Sequence, residues 1–142
     1  MTTGDAGQLV DMINAAMERT IPTAHRMGVR VVEAERGYAA ATVPVEGNGN
    51  HFGVVYAGVE FTVAEILGGI IALSTFDSAK YFPLVKNVDI AFAGMARSQL
   101  RAEARHRRHY PWSLPASRAP RLATGASFLR PAASRAQAQR RR

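Results

Sequence analysis

The hydrophobic positions along this chain change their period twice before residue 60. From Asp5 onward, Leu9, Met12, Ile13, Ala16 and Met17 recur at the spacing of one helical face, and Asp5 with Gln8 three residues later resembles a capping box. The pattern predicts an amphipathic helix that stops before Pro22. Gly28 to Glu35 and Tyr38 to Val45 then read as strands. The second places Ala39, Ala41, Val43 and Val45 on one face, and the two-residue break Arg36-Gly37 is a hairpin signal. Pro44 ends the second strand or marks it as an edge. His25, in the connection before the hairpin, reads as a surface or structural residue rather than a ligand.

A turn-rich passage, Gly47-Asn48-Gly49-Asn50, leads towards a segment from Gly58 to about Thr75 that contains no Pro and is apolar almost all the way round. Such a segment is a buried helix, and it needs a sheet or other helices to cover it. Phe76 to Val85 is irregular, with Pro83 blocking helix. Lys86 to Ala93 alternates again, with Val88, Ile90 and Phe92 on one face, and predicts a third strand. Ser98 to Ala104 fits either a fourth strand or a helix.

Two carboxylates interrupt the apolar helix. Glu60 falls in its first turn, where the helix dipole and free N–H groups favour an anion. Glu65 has no such support, and at about 100° per residue the two stand roughly 140° apart, so they are not a paired dyad. Glu65 is either a carboxylate that reaches solvent or an Arg, or a base held in a cleft.

Composition narrows the chemistry. A length of 142 residues with 47% hydrophobic content suits one domain with a real core. The absence of Cys removes thiol nucleophiles, disulfides and Cys-ligated metal. No Walker-type loop, Gly-x-Gly-x-x-Gly, Gly-x-Ser-x-Gly or His-Glu-x-x-His motif occurs. The first residues carry no basic-then-apolar leader, and the longest apolar run, Ile66 to Leu73, is broken by Gly68-Gly69 and short for a bilayer. A cytoplasmic protein with no membrane partner is expected.

The series Asn50, Tyr56-Ala57-Gly58, Phe61 and Ala64-Glu65 resembles the active-site signature of the PaaI-like group of hotdog-fold acyl-CoA thioesterases. That group commonly has His-Gly-Gly where this chain has Tyr56-Ala57-Gly58. The resemblance, over roughly residues 10 to 104, implies an α+β hotdog fold, an antiparallel sheet wrapped around a long central helix. It implies hydrolysis of an acyl thioester, acyl-CoA or acyl-carrier protein, with no cofactor and no metal. Residue by residue, Gly58 would offer a backbone N–H to the thioester carbonyl, Glu65 would be the base or nucleophile, and Asn50 would position water or substrate. Tyr56, Ala57, Phe61 and Thr62 would line the substrate, Thr62 being equally readable as an ordinary helix residue. The family's sites lie between subunits, which implies a homodimer or dimer of dimers. A hotdog domain that only binds acyl groups is the alternative, and it would have no need of Glu65.

Charge divides the chain sharply. Residues 1–104 hold all 11 acids against eight bases, whereas 105–142 hold ten Arg and no acid. The second part lacks Val, Ile, Lys and Met and carries Pro111, Pro115, Pro120 and Pro131. It cannot bury enough apolar surface to offset the entropy of ordering it. The reading is therefore a hotdog domain over 1–104, incomplete at its C-terminal end, and an Arg/Ala/Pro-rich tail over 105–142, the kind of sequence a shifted reading frame in a GC-rich gene produces. His106 and His109 are too few for a zinc site. Tail residues 106–112 and Arg140-Arg141-Arg142 could contact nucleic acid electrostatically, but a basic segment without a selected partner is the simpler reading.

Overall fold

The computed structural model describes residues 3–85, 87–106 and 130–131. The chain begins with α1 (Thr3–Thr20) and the short α2 (Pro22–Arg26), continues into β1 (Arg30–Glu35) and β2 (Tyr38–Val43), then α3 (Ala57–Thr75), β3 (Leu100–Arg105) and β4 (Arg130–Pro131). The strands form one antiparallel sheet in the order β1-β2-β3-β4. This is the hotdog arrangement, with α3 lying across the face of β1, β2 and β3.

The hairpin forms where the alternation placed it. Gly37 turns it with φ +76°, a left-handed value that a Cβ would strain. Val32 is an extra residue in β1, because the register passes from Val31↔Ala41 to Glu33↔Ala40. That bulge turns Val32 outward and keeps Val31 and Ala34 in the core. The far end of α3 pins the turn: Gly37 N–H donates to Thr75 Oγ1 at 2.9 Å, and Ser74 Oγ to Glu35 O at 2.7 Å.

β2 is the middle strand and supplies three buried alanines in a row, Ala39, Ala40 and Ala41. Ala39 and Ala41 face α3, which fills the space above them with Val63, Leu67, Ile70 and Ile71. Each such large side chain contributes about 1.5–3 kcal/mol by leaving water. Ala40 faces the other way, flanked in register by Glu33 and Glu103. Both carboxylates take hydrogen bonds from the Arg101 guanidinium, and these, led by Glu103, hold it still more firmly protonated than usual.

Three expectations are corrected. In α1, Leu9, Ile13 and Met17 pack on the core as foreseen and Val10 joins them, but Met12 is 60% exposed. The segment before the hairpin is not a plain connection, since Pro22 starts a helical turn that buries Ala24 completely. Of the strand expected over Lys86 to Ala93, Lys86 lies outside the described residues and none forms over 87–93: that stretch is irregular, and Val88, Ile90 and Phe92 stand 37%, 39% and 51% exposed. A strand exists only when a neighbour completes its ladder, and nothing among the described residues does so. Within Ser98 to Ala104 the strand alternative holds from Leu100 onward, as β3, in register with β2.

The sheet runs past residue 104, for β3 ends at Arg105 and His106 N–H donates to Gly37 O at 2.8 Å. Beyond it, Arg130 and Pro131 pair with Arg101 and Leu100. The rest of the basic tail lies outside the described residues. By length and composition alone α3 could cross a membrane, but here eight of its residues are buried, as in the core helix of a folded domain.

Candidate active site

The site is built from the loop that feeds α3. Asn48 is 93% buried at its root, with 7% exposure, and its Nδ2 donates to Met27 O at 2.7 Å and Pro44 O at 3.0 Å. These bonds tie the loop to the end of α2 and the end of β2. Asn50 then folds the tip, its backbone N–H donating to Val54 O at 2.8 Å and its Oδ1 accepting from Phe52 N at 2.9 Å. Val55 N–H reaches Ala96 O at 2.8 Å and Tyr56 N–H reaches Asn48 O at 2.9 Å, so both limbs of the loop are fixed.

Tyr56 is the N-cap of α3, and no side chain caps the helix. The Val59 and Glu60 N–H groups turn back to Tyr56 O, at 2.8 and 3.2 Å. The Gly58 N–H has no partner among the described residues, so it points out of the positive end of the helix, ready for an anion or a polarised carbonyl. The Tyr56 ring lies over Gly58: a Cβ built there would stand 2.5 Å from Tyr56 Cε1. A side chain at 58 would have to displace the Tyr56 ring, which is 56% exposed, and the constraint comes from that contact rather than from backbone angles.

Helical phase arranges the rest. Gly58, Phe61, Thr62 and Glu65 share one stripe, on the side of α3 away from the sheet, while Val59, Val63, Ile66, Leu67 and Ile70 are buried. Glu65 is half-buried there, with no side-chain partner among the described residues. Thr62 Oγ donates to Gly58 O at 2.8 Å, the bond of an ordinary helix threonine, so its hydroxyl proton is not aimed at Glu65. Phe61, within the stripe, is 38% exposed, and Ala57 is exposed at the start of the helix. Asn50 has its Oδ1 committed to the loop, which leaves Nδ2 as the group it can offer outward.

Glu60 behaves differently from its description as a first-turn anion. It is only 6% exposed, on the core side of α3, and burial raises its pKa above the ordinary carboxylate value. No hydrogen bond to its side chain is found among the described residues. Asn48 was likewise hidden in the sequence, where only turn composition marked its position.

An antiparallel sheet packed against one long helix gives this chain the hotdog fold. The chain belongs to the family described as "Domain of unknown function (DUF4442)", whose model matches residues 10–125. Among solved structures it is similar to a protein of unknown function from Pseudomonas aeruginosa described as a probable thioesterase, at 39% identity and a TM-score of 0.63. That match covers 67% of this chain and 64% of the Pseudomonas chain, a little under two thirds of its length. A Haemophilus influenzae thioesterase shares the fold at 18% identity and TM-score 0.58, covering 68% of this chain and 66% of its own. So does zebra fish thioesterase superfamily member 2, at 17% identity and TM-score 0.56, with coverages of 68% and 71%. No curated protein matches.

Proposed function

We propose that this protein hydrolyses acyl thioesters, with acyl-CoA or an acyl-carrier protein as substrate, and that it acts in the cytoplasm as a PaaI-like homodimer or dimer of dimers. The observation that carries the reading is the unpartnered Gly58 N–H at the α3 N-terminus, on the same stripe as Glu65. The thioester carbonyl accepts from Gly58 N–H, which stabilises the negative charge that gathers on its oxygen during attack. Glu65 takes a proton from water as the oxygen attacks the carbonyl carbon, and when the C–S bond breaks that proton passes from Glu65 to the leaving sulfur, giving the carboxylic acid and the free thiol. Asn50 Nδ2 orients the water or the acyl group.

Spacing supports a shared site. Seven residues of helix separate Gly58 from Glu65, about 10 Å along the axis, which is longer than a hydrogen-bonded relay through a single water. On this reading the acting Glu65 comes from a second copy and faces Gly58 of the first. The exposed 87–95 segment, with Val88, Ile90 and Phe92, would supply backbone and apolar surface for such a pairing.

A panel of acyl-CoA substrates, assayed for free thiol release by the full chain, tests the reading. Release with at least one acyl class is expected. Tight acyl-CoA binding without release would identify a binding protein instead.

A further inference from the structure

The loop before α3 holds the one Asn-Gly pair of the chain, Asn48-Gly49. A glycine after an asparagine has no Cβ, so its backbone nitrogen can approach the asparagine side-chain carbon with little steric hindrance. In the fold the two partners are treated differently. Gly49 N–H donates to nothing among the described residues, because the bonds of its short bridge with Val55 come from the neighbours: Asn50 N–H to Val54 O at 2.8 Å and Tyr56 N–H to Asn48 O at 2.9 Å. Asn48 Nδ2 is held instead against Met27 O at 2.7 Å and Pro44 O at 3.0 Å, and the residue is only 7% exposed. The nucleophile is free and the carboxamide is clamped.

We propose that Asn48-Gly49 is a self-modification site, latched by the fold and released when the loop opens, whose reaction irreversibly loosens the start of α3. While the latch holds, the two carbonyls keep the carboxamide turned towards the end of α2 and the end of β2. Once it opens, Gly49 N loses its proton to solvent and bonds to Asn48 Cγ; the Cγ–Nδ2 bond breaks, and Nδ2 leaves as ammonia with a proton taken up from solvent. Water then adds to one carbonyl of the cyclic imide. Cleavage between Gly49 N and Cγ gives aspartate at 48, and cleavage between Gly49 N and the Asn48 backbone carbon gives isoaspartate, with the chain rerouted through Cγ. Either product undoes the latch. A carboxylate oxygen where Nδ2 stood has no proton to offer Met27 O and Pro44 O, so two hydrogen bonds become repulsions. Isoaspartate also lengthens the main chain and puts Asn50 out of step with Val54. Tyr56, the N-cap residue of α3, is bonded to Asn48 O, so the disturbance passes directly to the helix start. Neither the chemistry nor its test needs a thioester, and the inference stands apart from the thioesterase reading.

For the test, the full chain is held at mildly alkaline pH, with and without urea, and conversion of amide to acid is placed on Asn48 by fragment-ion mass spectrometry. The two bonds of the latch should make the folded chain slower than the unfolded one by about tenfold or more. Gly49→Ala should slow the reaction by about tenfold or more in both conditions, because its methyl group shields the nitrogen. The fold accepts that change: Gly49 is not left-handed, and a Cβ there would meet nothing nearer than Val54 O at 3.8 Å. Converted protein, separated from unconverted by its added negative charge, should melt at a lower temperature. Equal rates with and without urea, a folded chain that never converts, a rate indifferent to Gly49→Ala, or converted protein that melts like the original would each overturn the inference.

Discussion

The two sides of α3 carry one carboxylate each, and they make opposite use of it. Glu60 is enclosed on the core side, with burial disfavouring its charge, and Glu65 stands half-buried on the outward stripe beside Gly58 and Thr62. Position along a helix does not decide this; phase does. A first-turn carboxylate is electrostatically welcome only if it can remain wet, and Glu60 lies within the arc that also holds Val59, Val63 and Leu67. The contrast separates a residue that costs stability from one available for chemistry.

The largest expected effect comes from the outward side. Glu65→Gln keeps shape and removes the base, so thiol release should fall by about 10² or more with the melting temperature unchanged. Full activity in that variant would empty the contrast of its catalytic half. Next, Gly58→Val drives a side chain into the Tyr56 ring and should lower kcat/KM by about tenfold or more through a displaced helix start. Adding Tyr56→Ala should recover much of the lost stability. If the single variant has native kinetics, the donor to the carbonyl lies elsewhere.

The core side predicts a gain. Glu60→Leu replaces a largely buried, unpaired carboxylate with an apolar group of similar size and should stabilise the protein by about 1 kcal/mol or less at neutral pH. The sign follows from linkage. A folded pKa above the unfolded value makes Glu60 destabilising above the folded pKa, and that penalty fades as pH falls through it towards 4.5. Thermal unfolding of the two proteins should therefore converge in acid and separate at neutral pH; a constant gap would show that packing, not charge, is the cause. The smallest effect is expected of Asn50→Asp, which keeps the Oδ1 acceptor that shapes the loop and loses the Nδ2 donor, so activity should drop a few-fold with little change in stability.

Features fixed by local pattern were legible in the chain itself. The β1–β2 hairpin follows from alternation and Arg36-Gly37, and α3 from an apolar stretch free of Pro. What depends on distant partners was not. Lys86 to Ala93 alternates like a strand, yet the alternation says only that a ladder would suit it. Leu100 to Arg105 contains good helix formers, and its register against β2 overrides them. The stripe of Gly58, Phe61, Thr62 and Glu65 could be read from spacing. Asn48 could not, because a loop asparagine that buries itself to hold Met27 and Pro44 resembles any other turn residue until the chain is folded.

The three alanines of β2 have a consequence for how this protein can change over time. Where the middle strand is trimmed to methyl groups, the large side chains packed over it come from α3, while Met17, Val31 and Leu100 fill the core around them. Substitutions among Val63, Leu67, Ile70 and Ile71 can trade size with one another and preserve the fold. Enlarging Ala39 or Ala41 has no such outlet, and overpacking there costs about 1–3 kcal/mol. The sheet is thus the conservative partner and α3 the adaptable one. Because α3 also carries Gly58 and Glu65 on its other side, each repacking of the interior tilts the outward stripe, and sequence drift in the core is written directly into the geometry of the site.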